Sequence, residues 1–324
     1  MRRLALLAAV WLLVALPLHA DTNAFTLVKT IPLPDVRGRI DHFALDAKGQ
    51  RLFMAALGND TVEVLDLATG KRSRTLADCS EPQGLAFAPA ENYLLIANGG
   101  SGVVKILDAT SFQTLHEIKH LPDADNARYN AKSGLFYVGY GGGALAVINA
   151  TNGDWVESIP LDGHPESFQL EQDGNRIFVN VPDAREIEVV DRNQRKVIAK
   201  WTLELRGNFP MALDEANQRL FIGCRRPARL LVLDATNGKK IGEATISGDT
   251  DDVFYDAKRK WIYVSCGEGF IDVIDANSYD VRQRIPTESG ARTSFFAPEQ
   301  NEFFLAVRAG MISGMAAVRI YRCN

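Results

Sequence analysis

Apolar positions along this chain come in short bursts that suit strands. In the first sixty residues after the N-terminal segment the bursts are HFALD (42–46), RLFMAAL (51–57), TVEVLDL (61–67) and SRTLAD (73–78). Apolar residues such as Val62, Val64 and Leu67 alternate with polar ones, as they do on a strand packed in a sheet. Between the bursts lie AKGQ, GND and ATGK, where Gly, Asn and Asp supply positive φ or side-chain turn bonds. Four strands in a row, joined by tight turns, predict one antiparallel sheet.

That sheet is written seven times. An apolar pair after a polar turn, a short strand, a Gly-rich loop and then V-x-V-x-D recur with anchors at Arg51, Tyr93, Gly134, Arg176, Arg219, Trp261 and Glu302, a spacing of 41–43 residues. A period of about 42 residues with four strands is the blade of a β-propeller. The expected architecture is all-β: a seven-bladed β-propeller of four-stranded antiparallel blades near 39–78, 81–120, 123–163, 164–205, 208–248, 249–289 and 290–324. The seventh unit lacks a fourth strand, whereas AFTLVKTIPL (24–33) is a strand with no unit of its own. Pairing the two closes the ring and removes two exposed sheet edges.

The first twenty residues change the expected location. Arg2 and Arg3, an apolar core from Leu4 to Leu18 and a small residue at Ala20 form a secretory signal peptide cut after Ala20. Residues 21–324 would then be a single propeller domain, periplasmic or secreted, with no further run of membrane length. Without residues 1–20 the 36 basic residues lose two and the 40 acidic ones none, leaving a net charge of about −6, so nucleic acid is not an expected partner. The four cysteines (Cys79, Cys224, Cys266, Cys323) carry no CxxC or haem-attachment spacing. Cys224 and Cys266 share a repeat position in adjacent blades, but sheets packed about 10 Å apart do not bring Cβ atoms to disulfide distance without inward bends.

The phrases DHFALD, EPQG, DADN, HPESF, NFPMALDEANQRLFIGC, GDTDDVFYDA, GEGFIDV and GART resemble those of secreted bacterial YVTN-repeat (YncE-like) propellers over residues 24–322. The resemblance implies a seven-bladed propeller and leaves its activity open. Asn149 departs from the turn Asp of the repeat, and blade seven lacks that residue.

Counting back from each anchor aligns the residues that enter the innermost strands: Asp41-His42, Gln83-Gly84, Asp125-Asn126, Glu166-Ser167, Phe209-Pro210, Asp251-Asp252 and Arg292-Thr293. Equivalent ends of inner strands form one rim, so these residues should ring a channel mouth. The crowded acids of DTDDVFYD (249–256) then belong to that ring and face a wet channel. Asp41, His42, Gln83, Asp125, Asn126, His164, Glu166, Arg225, Asp251, Asp252 and Arg292 are the expected ligand-binding residues. Their composition suits a hard divalent cation of the calcium or manganese type, with Asp41, Glu166 and Asp251 as candidate metal ligands; a solvated channel lining has the same composition. Arg225, Arg226 and Arg229 of GCRRPAR, with Arg292, suit either an anionic ligand or pairing with neighbouring acids. His164 is a candidate base or ligand, or a backbone-bonded loop residue.

No GxSxG elbow, helix-opening GxGxxG or phosphate loop occurs, and no catalytic residue is assigned. Two functions remain. One is a monomeric exported binding or scaffold protein holding a small polar molecule, a metal or a periplasmic protein at the mouth. The other is a metal-assisted, lactonase-like hydrolase or lyase with Asp41, Glu166 and Asp251 as metal ligands or base and Arg292 or Arg225 steadying an anion. The recurring Phe53, Phe136, Phe178, Phe221 and Tyr263 are expected to pack between sheets.

Overall fold

A computed structural model describes residues 23–310 and 314–324. The expected leader and its cleavage point after Ala20 lie outside the described residues. Seven four-stranded antiparallel sheets are arranged in a ring. Six follow chain order; the first, for example, runs through Phe43–Asp46, Arg51–Ala56, Thr61–Asp66 and Lys71–Leu76. Neighbouring innermost strands touch in succession, and Ser294–Ala297 of the seventh blade touches Phe43–Asp46 of the first, so the circle is complete.

Closure follows the expected route. Phe25–Leu33 pairs antiparallel with Ala316–Cys323, from Phe25 opposite Cys323 to Leu33 opposite Ala316. Phe25 is 6% exposed, and its ring lies 4.8 Å from that of Tyr263 and 4.9 Å from that of Phe303. The N-terminal strand therefore binds the last blade and also reaches the sixth.

The faces of the sheets carry the core. Phe53, Phe136, Phe178, Phe221 and Tyr263 are fully buried; Phe53 meets Phe87 of the next blade at 5.9 Å and Phe221 meets Tyr255 at 5.4 Å. Outer strands are different. Lys196–Thr202 and Val281–Pro286 alternate between exposed and half-buried positions and carry Lys or Arg, which discourages edge-to-edge pairing.

The terminal Asp of the repeated V-x-V-x-D phrase has a local job. Asp66 Oδ1 accepts the Thr69 amide at 2.8 Å, Asp234 Oδ1 that of Thr236 at 2.8 Å, and Asp275 Oδ1 that of Asn277 at 2.8 Å. Each closes the turn into the fourth strand. Asn149 does the same with Thr151 at 2.9 Å, so its departure from the repeat preserves the turn. Blade seven has no such residue because its fourth strand arrives from the other end of the chain and no hairpin is needed.

The blades are also riveted to one another at the end opposite the mouth. Arg51, Arg176 and Arg219 each bond an acid of their own blade, with Nη2 at 2.6 Å from Asp46, 2.5 Å from Glu171 and 2.7 Å from Asp214. Each also donates through Nη1 to a carbonyl of the next blade, at Ala109, Ala235 and Ala276 respectively. Each guanidinium covers the aromatic ring two residues on, at 5.5, 4.9 and 5.3 Å. The R-[LI]-F triplet is thus an inter-blade strut as well as a strand start.

Two substitutions test this account by urea unfolding. Phe25→Ala should cost about 3–5 kcal/mol through the cavity it leaves at the seam, while Val28→Ala, on an exposed position of the same strand, should stay within about 0.5 kcal/mol. Arg219→Met should cost about 3–5 kcal/mol by stranding the buried Asp214.

Candidate functional site

The aligned residues do gather at one end of the ring, by two local devices. Asp41-His42, Asp125-Asn126, Glu166-Ser167 and Arg292-Thr293 immediately precede their inner strands. Gln83-Gly84, Phe209-Pro210 and Asp251-Asp252 lie inside or beside register shifts between Pro82 and Leu85, Asn208 and Met211, and Thr250 and Asp252. A bulge frees one residue from the ladder and re-aims its neighbours. Gly84 is needed for room: a Cβ there would lie 2.0 Å from the Asp125 carbonyl oxygen.

The acids of DTDDVFYD are bracketed by arginines from both neighbouring blades. Arg225 of the fifth blade pairs with Asp251, donates through Nε to the Thr250 carbonyl at 2.8 Å and stacks 3.9 Å over the Phe209 ring. Arg292 of the seventh blade bonds Asp249 through Nη1 at 2.5 Å and pairs through Nε with Asp251 at 2.8 Å. Asp252 turns aside to accept the Ser294 amide at 2.7 Å. The cluster is therefore held by cations and an amide. Of the three arginines in GCRRPAR, Arg225 joins this network, whereas Arg226 is exposed and Arg229 bonds the Ala228 carbonyl at 3.0 Å.

The other half of the mouth centres on Asp125, 7% exposed. Its Oδ1 lies 3.6 Å from His42 Nε2 and its Oδ2 3.8 Å from His164 Nε2, close enough for charge but too long for hydrogen bonds. Asp125 Oδ1 has no hydrogen-bond partner. His164 Nδ1 bonds the Gly141 carbonyl at 2.7 Å, and Asp123 Oδ2 stands 3.5 Å from the same nitrogen. Asn126 Nδ2 and His42 Nε2 are 2.9 Å apart; a charged His42 donates at both ring nitrogens, so in that state the amide turns to offer Oδ1. Asp41, 4% exposed, pairs with Arg39 at 3.0 Å, and Gln83 Nε2 donates to Asp123 at 3.3 Å. Arg39 and Asp123 escape a repeat alignment because each lies two residues before its aligned pair.

Crowding shifts the titration of this group. Burial alone would lower His42, but Asp41, Asp125 and Asp252 around it push it up to about 9. His164 is pushed up to about 9, chiefly by Asp125. Burial would raise Asp125, yet His164 and His42 hold it well below the usual carboxylate range. Glu166 is raised to about 7 by burial and then by the charge of Asp125. Asp252 is raised to about 7, first by burial.

Below the mouth the inner strands border a cavity of about 360 Å³. His42, Arg128, Asp252 and Ser294 line it, with Phe87 and Phe254 among its aromatic walls. Arg128 stands over the Phe168 ring at 5.5 Å, and burial lowers its pKa. The sequence gives no signal for this arginine, since only the closed ring brings it beneath His42 and Asp252.

The charge of Asp251 acts on both Asp41 and Glu166 across the mouth. Among the described residues, the acids whose oxygens all lie within 4.8 Å of one another are elsewhere: Asp162, Glu186 and Glu188. All four cysteines are free and buried, with burial pushing Cys224 up to about 12, so these thiols stay protonated near neutral pH. Among the described residues no helix is long and apolar enough to cross a membrane. No protein-family model and no curated protein sequence matches the chain.

An acid raised from 3.8 to about 7, as Asp252 is, binds its proton more tightly when folded. Its contribution favours the native state at low pH and is lost as pH climbs through about 7. The contribution of a histidine raised from 6.5 to about 9 is complete below 6.5 and lost as pH passes about 9. The melting temperature should therefore fall between pH 5 and pH 9. Asp252→Asn, which keeps an acceptor for Ser294, should stabilise the protein at both pH values, by on the order of 2 kcal/mol more at pH 8 than at pH 5.

Proposed function

We propose that the protein is an exported binding protein of the YVTN-repeat (YncE-like) kind that holds a small polar ligand at its channel mouth. The observation that carries this reading is Asp125: a buried carboxylate oxygen without a hydrogen-bond donor, set between two imidazoles at the open end of a ring. Leaving such an oxygen unpaired costs about 1–3 kcal/mol or more, which a ligand bearing an ammonium or hydroxyl group would offset. His42, Asn126, His164 and Glu166 supply the surrounding polar contacts, with Asp41, Gln83, Asp252 and the Arg225–Asp251–Arg292 network completing the rim. The leader-like N-terminus and the repeat phrases support export and the family reading.

A thermal-shift screen of amines, polyols and divalent cations, followed by calorimetry, tests the proposal. A ligand at 100 times its Kd adds about 2.7 kcal/mol, and Asp125→Asn should abolish that gain. If no compound shifts the wild-type protein, the small-ligand reading fails and the search turns to protein partners.

A second reading rests on Glu166. Raised to about 7, it lies in the range suited to a general base near neutral pH. In a metal-assisted, lactonase-like hydrolase or lyase, Asp41 and Asp251 would hold a calcium- or manganese-type ion beside it. Turnover on a lactone panel should then show an inflection near pH 7 and disappear both on chelation and in Glu166→Gln. Binding without turnover leaves the first reading standing.

A further inference from the structure

Three blades place a fully buried acid at the same point of the third strand: Glu63, Glu188 and Asp272. In the first blade both carboxylate oxygens of Glu63 are satisfied. Thr61 Oγ1 donates to Oε1 at 2.7 Å, and Thr75 Oγ1 and Arg72 donate to Oε2 at 2.6 and 3.3 Å. In the sixth, Ser247 supplies its amide at 2.6 Å and its hydroxyl at 3.0 Å to the two oxygens of Asp272.

The fourth blade breaks this scheme. Glu188 Oε1 accepts the Asp162 amide at 2.8 Å, but Oε2 is buried without a partner. Where the first blade has the hydroxyl of Thr61, two residues before its acid, the fourth has a second acid, Glu186, 9% exposed and with its own Oε1 buried and unpartnered. Where the first blade has Thr75 opposite its acid, the fourth has Lys200 opposite Glu188. Lys200 Nζ reaches Asp162 and stands 4.0 Å from Glu188 Oε1. One cation thus faces three carboxylates, and two buried oxygens remain open. Burial already raises the pKa of Glu188.

We propose that Asp162, Glu186 and Glu188 form a Ca²⁺ site that fastens the linker between the third and fourth blades onto the fourth. The donors are all hard oxygens. They lie within 4.8 Å of one another, close enough to share one Ca²⁺ with bonds of about 2.3–2.6 Å, whereas Mg²⁺ demands tighter octahedral geometry and gives up its water reluctantly. Two open oxygens from buried side chains and one exposed carboxylate leave the outer coordination to water. Lys200, whose side chain is 41% exposed, turns out to solvent as the ion enters. The same linker carries His164 and Glu166 to the mouth, so the ion would also fix the entry of those two residues.

The test uses the purified full chain stripped with chelator, with CaCl₂ or MgCl₂ titrated in and followed by calorimetry and thermal melting. One Ca²⁺ should bind per chain and raise the melting temperature, with Mg²⁺ at least tenfold weaker. Glu186→Gln and Glu188→Gln should each weaken Ca²⁺ binding at least tenfold, and Lys200→Gln should tighten it several-fold by removing the competing cation. Glu63→Gln in the first blade and Asp125→Asn at the mouth should bind Ca²⁺ as the unmodified chain does. The proposal is overturned if Ca²⁺ at roughly 10 mM, well above the Kd of extracellular calcium modules, produces neither heat nor a shift. It is equally overturned if Glu186→Gln and Glu188→Gln both retain the response, or if Asp125→Asn alone removes it and so places the ion at the mouth. Because Asp125 and the Glu186–Glu188 pair are separate substitutions, failure here leaves the mouth proposal intact, and the reverse also holds.

Discussion

Closure of the ring is the constraint on which everything else in this protein depends. A four-stranded blade has two apolar faces and cannot bury both alone; each face needs a neighbour, and in a row of seven the end blades would lack one. The chain solves this by sending Phe25–Leu33 back to Ala316–Cys323. The seam is reinforced where the first and last blades meet, with Thr293 Oγ1 donating to the Ile40 carbonyl at 2.9 Å. At its outer side the Ala24 amide donates to Gln283 of the sixth blade at 2.9 Å. Only in the closed ring do residues as far apart in sequence as Asp41, Asp125 and Asp251 share one electrostatic environment.

The two ends of the ring use charge differently. At the end away from the mouth, Arg51, Arg176 and Arg219 repeat one arrangement: own-blade acid, next-blade carbonyl, aromatic ring beneath. Charges there are spent on holding blades together. At the mouth no two blades present the same pair. Acids from the first, third, fourth and sixth blades meet arginines from the fifth and seventh and histidines from the first and the linker before the fourth. Some of these groups compensate one another, as Arg225 and Arg292 do for Asp249 and Asp251. Asp125 does not have a donor for its Oδ1, unlike the compensated acids beside it and the paired acids at the other end.

The linker 160–166 joins these themes. It begins at a strand end, lays the Asp162 amide on Glu188 and delivers His164 to the Gly141 carbonyl and Glu166 to the mouth. Packing of the third blade against the fourth is therefore mechanically continuous with the geometry around Asp125. Departures from the repeat are informative here: Thr61 and Thr75 in the first blade become Glu186 and Lys200 in the fourth, and the satisfied acid becomes an unsatisfied pair.

The strands, turns, blade number and closing strand were legible in the sequence because they rest on local alternation, local turn chemistry and a period that repeats. The V-x-V-x-D turn is a bond between residues two or three apart, so its Asp, and even the substitute Asn149, announce themselves. The rim could be enumerated by counting back from anchors, which located Asp41, His42, Asp125, Glu166 and Asp251 at one end. Partnership was not legible. That Arg225 and Arg292 embrace DTDDVFYD, that Arg128 lies beneath His42, and that Asp162 meets Glu186 and Glu188 depend on distances across blades, which no local pattern encodes. The sequence by itself determined which residues face the mouth, through the period of the strand. The tertiary structure decided which of them are paired and which oxygens are left open, because Coulomb and hydrogen-bond energies depend on separations of a few ångströms between segments about 24 residues or more apart in the chain.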